Sequence, residues 1–284
     1  MHDQTAPLLT AENLRVQFNT LAGPIQAVRG VSFTVGREKV GVIGESGSGK
    51  SMTGRAIMRL LGPSASILAD RLQFEDVDLL RASEKQMQTV RGRRIGMILQ
   101  DPKYSLNPVM SVGDQITEMA RLHLRESKSA ALERALSMLE QVRIRDPKRV
   151  YALYPHEVSG GMGQRIMIAM MLVASPTLII ADEPTSALDV SVRAQILDLL
   201  DELIVSRGIG LMFISHDLNM VRRFCDRALI MYSGQIVETI KAADLDSATH
   251  PYTQGLLHAL PRMDAPRDML DVLKRDPAWL ERRP

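Results

Sequence analysis

A glycine-rich stretch, GESGSGKS from Gly44 to Ser51, carries the residue types needed to hold phosphate groups. Gly44, Gly47 and Gly49 allow the backbone to wrap so that successive N–H groups point at phosphate oxygens. Lys50 adds a positive charge for the β and γ phosphates, and the Ser51 hydroxyl suits Mg²⁺ coordination. Because the apolar run KVGVIG precedes this stretch and the helical pattern SMTGRAIMRLL overlaps its end, the predicted order is strand, loop, helix.

Three further apolar runs end in polar side chains that suit nucleotide hydrolysis. TLIIADEP ends in Asp182, which suits Mg²⁺ coordination, and in Glu183, which can act on water as a general base. IGLMFISHD places His216 past the C-terminal end of a strand, where an imidazole could donate to a γ-phosphate oxygen. RIGMILQ ends in Gln100, whose carboxamide could reach Mg²⁺ or the attacking water, or could simply cap its strand.

A second glycine-rich stretch, EVSGGMGQR, contains no lysine. Ser159, Gly160 and Gly161 stand just ahead of an apolar run that is typical of a helix. Two interpretations are open at this point: a helix N-terminus that binds phosphate, or an ordinary N-cap with glycines for close packing.

Composition limits the classes of function. The chain has 284 residues, of which 45% are hydrophobic and 24% charged, as in ordinary globular proteins. Its net charge is only +2, which disfavours nucleic acid as a partner. The start lacks a signal-peptide pattern and the apolar runs are shorter than the roughly 20 residues that cross a bilayer. We therefore expect a chain that is not exported and leaves any membrane crossing to other subunits. The one cysteine, Cys225, is expected to be a packing residue in a reducing cytosol.

Hydrophobic periodicity predicts the elements around these motifs. ENLRVQF and AVRGVSFTV predict an antiparallel β region near the N-terminus. Helical spacing between Gln100 and Ser159 predicts an inserted helical subdomain at about residues 101–160. In one of its helices the predicted apolar face consists of Leu132, Ala135, Leu136 and Leu139.

Five stretches of the sequence resemble, in the same order, the motifs of the nucleotide-binding subunits of ATP-binding cassette (ABC) transporters. These stretches are GESGSGKS, LQDP, VSGGM, LIIADEPTSALD and ISHD. The resemblance implies an α/β fold with a P-loop NTPase (RecA-like) core, an N-terminal antiparallel β subdomain and an inserted α-helical subdomain. It implies a nucleotide-binding domain over residues 1–240, with ATP and Mg²⁺ as its ligands.

The same resemblance implies a role for each motif residue. Mg²⁺ would be held by Ser51, Gln100 and Asp182, and hydrolysis would depend on Glu183, His216 and Gln100. Nucleotide contacts would come from Phe18, Gly44, Glu45, Ser46, Gly47, Ser48, Gly49, Lys50, Ser51, Met52, Ser159, Gly160, Gly161 and Asp189.

Ser159, Gly160 and Gly161 would act on the nucleotide of the opposite subunit in a head-to-tail dimer, which explains why no lysine accompanies them. Phe18 stands where many relatives stack an aromatic ring on adenine, although a phenylalanine in the core of a strand accounts for it almost as well.

QDPKYSLNPVMSVGDQITE and HPYTQGLLHALP are similar to the dipeptide, oligopeptide and nickel importers, and to their first ATPase subunit more than their second. This likeness implies ATP-driven import of peptides or a related small solute at the cytoplasmic face of the membrane, with nickel or a metal chelate as the alternative cargo. The likeness implies three kinds of partner. The first is a second ABC ATPase chain, in a heterodimer more readily than in a homodimer. The others are two transmembrane permeases, which would dock at DPKYSLNP and the following helix, and indirectly an extracytoplasmic solute-binding protein. Nucleic acid is not an implied partner.

The sequence departs from this group in two places. Gly163 stands where many relatives carry a long polar residue, and residues 241–284 form an extension in which no iron–sulfur cluster is expected because Cys225 is the sole thiol. The closing segment DMLDVLKRDPAWLERRP indicates a short helix and a basic end.

Two other classes remain as alternatives. A P-loop kinase or metabolic NTPase would keep the glycine loop without VSGGM and SALD. A soluble cassette protein acting on nucleic acid or ribosomes would more readily show tandem cassettes, long coiled coils or a zinc insert.

Overall fold

The structure, a computed structural model, describes residues 7–259 and Trp279. The chain divides into two compact units, one formed by the residues up to Arg81 together with those from Phe213 onward, the other by Ala82–Met212. Most of the closing segment that was predicted to form a helix and a basic end lies outside the described residues.

The first unit contains an antiparallel sheet, which confirms the predicted β region. Its strands are β1 (Leu9–Thr20), β2 (Gly23–Val35), β4 (Ala65–Leu68), β5 (Arg71–Phe74) and β6 (Val77–Asp78). Strand β1 pairs with β2 from Leu9 opposite Val35 to Thr20 opposite Gly23, and along its other edge with β4 and β5. Alternating apolar side chains of β1, such as those of Leu14 and Val16, are buried, as expected for a sheet with one covered face.

The same unit contains a second group of strands, part of them parallel. Its elements are β3 (Lys39–Ile43), α1 (Lys50–Ile57), α9 (Leu218–Phe224), β10 (Arg227–Tyr232), β11 (Gln235–Lys241), a 3₁₀ helix (Ala242–Ser247) and α10 (Pro251–His258). Strand β3 pairs in parallel with β10, and β11 runs antiparallel to β10. Residues 40–43 are all buried, as the continuous apolar run KVGVIG predicts for a parallel strand.

The second unit consists of two parallel strands and most of the helices. Its elements are α2 (Glu84–Val90), β7 (Ile95–Ile98), α3 (Pro102–Ser105), α4 (Val112–Leu124), α5 (Lys128–Gln141), α6 (Pro147–Tyr151), a 3₁₀ helix (Pro155–Glu157), α7 (Gly160–Leu172), β8 (Leu178–Asp182) and α8 (Val190–Arg207). Strand β9 (Gly210–Ser215) runs from this unit back into the first. Strands β7 and β8 are parallel and fully buried.

Serine side chains mark the starts of four helices in this unit. At the beginnings of α2, α4, α5 and α7 a serine hydroxyl oxygen accepts a hydrogen bond from the backbone N–H three residues on; these serines are Ser83, Ser111, Ser127 and Ser159. Such a cap stabilises a helix by about 1 kcal/mol because it satisfies an N–H that has no partner within the helix. These caps explain where the helices predicted from periodicity begin.

The predicted apolar face of α5 is partly wrong. Leu132 is 38% exposed and Leu136 is half-buried, whereas Ala135 and Leu139 are buried as predicted. The buried stripe also contains Ala131 and Met138, so its members stand at positions i, i+4, i+7 and i+8 along the helix. Across the described residues, no helix has the length and apolar character that a membrane span requires.

Candidate nucleotide site

Residues 44–51, here called the phosphate loop, follow β3 directly and lead into α1. A side chain at Gly44 would place its Cβ 2.1 Å from the carbonyl oxygen of Met231, and one at Gly49 would place it 2.5 Å from that of Ala27. Gly49 also has a φ of 102°, which residues with a side chain rarely adopt. The backbone path of the loop therefore requires glycine at both positions.

Gly47 is required for a different reason. Its φ is 81°, yet a Cβ at this position would meet no atom within 4 Å. The backbone at Gly47 thus borders open space, while its conformation still favours glycine. Gly47 is also exposed, so this part of the backbone is accessible to a ligand such as a phosphate group.

The cation of the loop is Lys50, the first residue of α1. Its side chain is 5% exposed, and Nζ donates hydrogen bonds to the carbonyl oxygens of Gly44 at 2.7 Å and Glu45 at 2.8 Å. These carbonyls offset part of the cost of burying the charge. Gly49 is the N-cap of α1 and offers no side-chain cap, and the first turn has no acidic residue, so the positive end of the helix dipole is not neutralised by a carboxylate of that turn. Loop, lysine and helix start together fit a polyphosphate.

In the second unit, β8 ends in two carboxylates with different surroundings. Asp182 is 4% exposed, and Glu183 is half-buried. Glu183 has a φ of 49°, a left-handed conformation that costs a non-glycine residue about 1–3 kcal/mol. Its carbonyl oxygen accepts hydrogen bonds from the N–H and hydroxyl groups of Ser186, which stabilise this turn. Such strain is concentrated at functional sites, where it aims a side chain.

Gln100 lies at the same end of the parallel pair as these carboxylates. Ile98 of β7 is paired with Ala181 of β8, and Gln100 and Glu183 each follow two residues after this last pair. Strand β7 ends at Ile98, two residues earlier than the sequence predicted, and Gln100 is exposed beyond it. Gln100 therefore does not end the strand itself, and it has room to contact a ligand.

His216 and Phe18 both belong to the first unit. His216 follows β9 directly and is exposed, and the next residue, Asp217, caps α9 by accepting from the N–H of Met220. Phe18 is half-buried in β1, where it pairs with Ile25. Half-burial leaves both interpretations of Phe18 open, a core residue or a stacking surface.

The second glycine-rich stretch forms the start of α7. Ser159 is the exposed N-cap, and its Oγ accepts from the N–H of Met162 at 3.3 Å, so the ordinary capping role is present. A Cβ at Gly161 would lie 2.9 Å from Val192 Cγ1 of α8, which accounts for glycine at this position by close packing. Gly160 is exposed.

Asp189 is the N-cap of α8. Its side chain makes no capping hydrogen bond, and the residue is exposed. A Cβ at Gly160 would lie 3.8 Å from Leu188, the neighbour of Asp189. The second unit thus presents the starts of α7 and α8 side by side on its surface.

Within the units, the predicted residues fall into separate groups. The first unit holds the phosphate loop, Met52, Phe18 and His216. The second holds Gln100, Asp182 and Glu183 at one strand edge, and Ser159, Gly160, Gly161 and Asp189 at the starts of α7 and α8.

Sequence reasoning missed one contact of the phosphate loop. The hydroxyl of Tyr252 in α10 accepts a hydrogen bond of 3.1 Å from the N–H of Glu45. His250 and Pro251 are signals for a helix start, since proline is favoured at the first helical position. No local signal could have linked Tyr252 to a loop 207 residues earlier.

Comparison with known proteins gives these features a family. A family profile described as "ABC transporter" matches residues 28–186. The chain is 48% identical to the oligopeptide transport ATP-binding protein OppD of Bacillus subtilis, over 91% of this chain and 73% of OppD. It is 46% identical to the dipeptide transport ATP-binding protein DppD of the same organism, over 90% of this chain and 78% of DppD.

Solved structures agree in fold. A dimeric post-hydrolysis state of the ATP-binding cassette MJ0796 bound to ADP and Pi superposes with a TM-score of 0.71 at 25% identity, over 82% of this chain and 98% of the other. CbiO1 from Clostridium perfringens gives a TM-score of 0.71 at 26% identity, over 85% of this chain and 91% of the other. These neighbours confirm the predicted α/β class with a P-loop NTPase core. The chain therefore belongs to the ABC transporter family, as one of its ATP-hydrolysing subunits.

Proposed function

We propose that this chain supplies the ATP hydrolysis that powers a peptide importer. The observation that carries the proposal is the phosphate loop, with Lys50 buried at its centre and an uncapped helix behind it. The cargo is inferred from relatives named for oligopeptide and dipeptide transport, and from a putative peptide import ATP-binding protein of Brucella melitensis that is 44% identical over 99% of this chain and 85% of its own length. Peptide is thereby favoured over nickel as the cargo.

On this proposal, Lys50 exchanges partners when ATP binds. Its ammonium group leaves the carbonyls of Gly44 and Glu45 for the β and γ phosphates, while backbone N–H groups of the phosphate loop and of α1 hold the remaining oxygens. The exchange keeps the buried cation paired in both states, so binding does not have to desolvate a free charge.

Mg²⁺, the metal such ATPases use, would be held by Ser51, Gln100 and Asp182. Hydroxyl, carboxamide and carboxylate oxygens are the donors that Mg²⁺ prefers, and the burial of Asp182 suits a carboxylate that faces a cation. When bound, the ion neutralises charge on the β and γ phosphates.

Glu183 is proposed as the general base and His216 as the residue that orients water and the γ-phosphate. Glu183 has a left-handed backbone conformation directly after β8, and strain of this kind is concentrated at functional sites, which supports this role. His216 is exposed directly after β9, at the strand end where open α/β sheets place their ligand sites, which supports this role.

A dimer is part of the proposal. Ser159, Gly160 and Gly161 at the start of α7 would contact the γ-phosphate held by the partner chain, with Asp189 beside them. The exposure of Ser159, Gly160 and Asp189 supports this, as does the dimeric MJ0796 neighbour. The partner ATPase would be a second, different chain. Two permeases would dock on a helical subdomain at about residues 101–160, and a solute-binding protein would take part indirectly. This chain would lie on the cytoplasmic face of the membrane.

The test combines one catalytic variant with a matched control. In the chain assembled with its permeases, Glu183→Gln is expected to bind ATP, to lose most ATP hydrolysis and peptide uptake, and to accumulate as an ATP-bound dimer on size-exclusion chromatography. Glu202→Gln removes an exposed glutamate that is paired with Arg143, and it should leave hydrolysis and uptake unchanged. Hydrolysis by Glu183→Gln at the wild-type rate would remove Glu183 from the role of base, and absence of ATP-dependent peptide uptake by the wild type would reject the cargo.

A further inference from the structure

The peptide group between Gly44 and Glu45 is held at both of its polar ends. Its carbonyl oxygen accepts a hydrogen bond of 2.7 Å from Lys50 Nζ, and its N–H donates one of 3.1 Å to the hydroxyl of Tyr252. The C=O and N–H of a trans peptide point in opposite directions, so these two contacts fix the rotation of the peptide plane. This plane is where the phosphate loop leaves β3.

Tyr252 is itself held firmly at the start of α10. Its side chain is completely buried, and its N–H donates to Nδ1 of His250, the N-cap residue. Pro251 occupies the first helical position, which removes an N–H that would otherwise need a partner. The helix start that carries the tyrosine is therefore well determined.

A buried carboxylate anchors the turn that precedes α10. Glu238 of β11 accepts hydrogen bonds through Oε1 from the N–H and hydroxyl of Thr249 and from the N–H of His250. Because β11 pairs with β10 and β10 pairs with β3, the support of Tyr252 is built from the same strands that carry the phosphate loop.

The ring of Tyr252 packs in an aromatic cluster with Tyr232 and Trp279. The ring centroids of Tyr232 and Tyr252 are 4.5 Å apart, and that of Trp279 lies 5.6 Å from the first and 5.9 Å from the second. Tyr232 is the last residue of β10, one position after Met231, whose carbonyl oxygen faces Gly44. The cluster thus joins the C-terminal part of the chain to the base of the phosphate loop.

We propose that Tyr252 is a positioning residue that preorganises the phosphate loop for ATP. The inference rests on the proposed function, since it assumes that the loop binds ATP. When Lys50 transfers to the phosphates, the carbonyl end of the Gly44–Glu45 peptide loses the contact that fixed it. The hydroxyl of Tyr252 remains at the other end, so the loop keeps its conformation while the lysine moves.

Tyr252→Phe tests the proposal because it removes the hydroxyl and keeps the ring in its cluster. Tyr232→Phe is the matched control. It also removes a hydroxyl from the aromatic cluster, but the structure gives no contact between that hydroxyl and the phosphate loop. The full-length chain, with and without its permeases, is measured for equilibrium binding of a fluorescent ATP analogue, for KM and kcat of ATP hydrolysis, and for thermal unfolding.

We expect Tyr252→Phe to raise Kd and KM for ATP about three- to tenfold, the range set by one buried hydrogen bond, with kcat within about twofold of wild type. Tyr232→Phe should bind ATP like the wild type. Wild-type Kd in Tyr252→Phe, or an equal loss of affinity in both variants, would overturn the positioning role, as would a lowered unfolding temperature with unchanged affinity.

The proposed function can be rejected independently of the role of Tyr252. Lys50→Ala should abolish ATP binding, because it removes the cation of the phosphate loop. If the wild type does not bind ATP, or Lys50→Ala binds it equally well, the proposed function is rejected and the role of Tyr252 with it. If the wild type and Lys50→Ala behave as expected while Tyr252→Phe matches the wild type, only the role of Tyr252 is rejected.

Discussion

Gly163→Ala should stabilise this protein, although the residue lies near the start of α7, in the second glycine-rich stretch. A methyl group at position 163 would lie 3.4 Å from Cβ and 3.5 Å from Cγ of Pro102, which are ordinary van der Waals distances. The helix therefore has room for the side chain. Gly163 is buried and its φ is not positive, so no special backbone conformation requires glycine there.

The expected gain combines helix propensity with burial. Alanine in a helix interior is more favourable than glycine by about 0.5–1 kcal/mol, because glycine loses more backbone entropy on folding. The contact with Pro102 adds a smaller favourable term, so we expect a gain of about 1 kcal/mol. For a protein of this size, 1 kcal/mol corresponds to a rise in Tm of about 2–4 °C.

Gly113→Ala is the matched comparison, since it is the same substitution near the start of α4. Here the Cβ would lie 2.1 Å from ring atoms of Tyr151. The ring cannot simply move away, because its hydroxyl bonds to Thr117 at 2.9 Å and donates to Asp114 at 3.1 Å. Overpacking of this kind costs about 1–3 kcal/mol, so Tm should fall.

The assay is thermal unfolding of both variants under identical conditions, together with ATP hydrolysis at 25 °C for Gly163→Ala. Hydrolysis should persist because Ser159, Gly160 and Gly161 are unchanged. A lowered Tm for Gly163→Ala, or shifts of the same sign in both variants, would show that the space beside Gly163 does not accept a methyl group.

Two further predictions concern buried groups of the first unit. Burial raises the pKa of the Cys225 thiol, so the folded protein should resist alkylation by iodoacetamide at pH 8 and react only on unfolding; rapid modification of the native chain would contradict this burial. Burial alone would raise the pKa of the Glu238 carboxyl, but hydrogen bonds from Thr249 and His250, together with the nearby Thr253 hydroxyl, outweigh it and lower the pKa. A lowered folded-state pKa stabilises the fold above the ordinary carboxyl pKa of about 4.3, and that stability is lost as pH falls through the folded-state pKa. The free energy of urea unfolding should therefore decline on acidification below about pH 5, and decline less in Glu238→Gln; parallel pH profiles for the two proteins would remove Glu238 from this role.

Local chemistry in the sequence was enough to predict the strand–loop–helix arrangement around Lys50, the strand that ends in Asp182 and the helix that begins after Ser159. Each depends on residues close together in the chain: a continuous apolar run for a buried strand, glycines for a tight loop, a serine for a helix cap. The same local patterns misjudged α5, because Leu132 is apolar yet exposed, while Ala131 is small and buried.

Other features depended on the folded chain. The space beside Gly163 and the hydrogen bond between Glu45 and Tyr252 both depend on atoms that folding brings together. Glu45 and Tyr252 are 207 residues apart, so no local sequence pattern could predict their hydrogen bond. Its geometry is set by strand pairing and packing and not by neighbours in the chain. Residue types and order thus identify the chemistry that this protein can perform, and tertiary packing decides which side chains hold its reacting loop in shape.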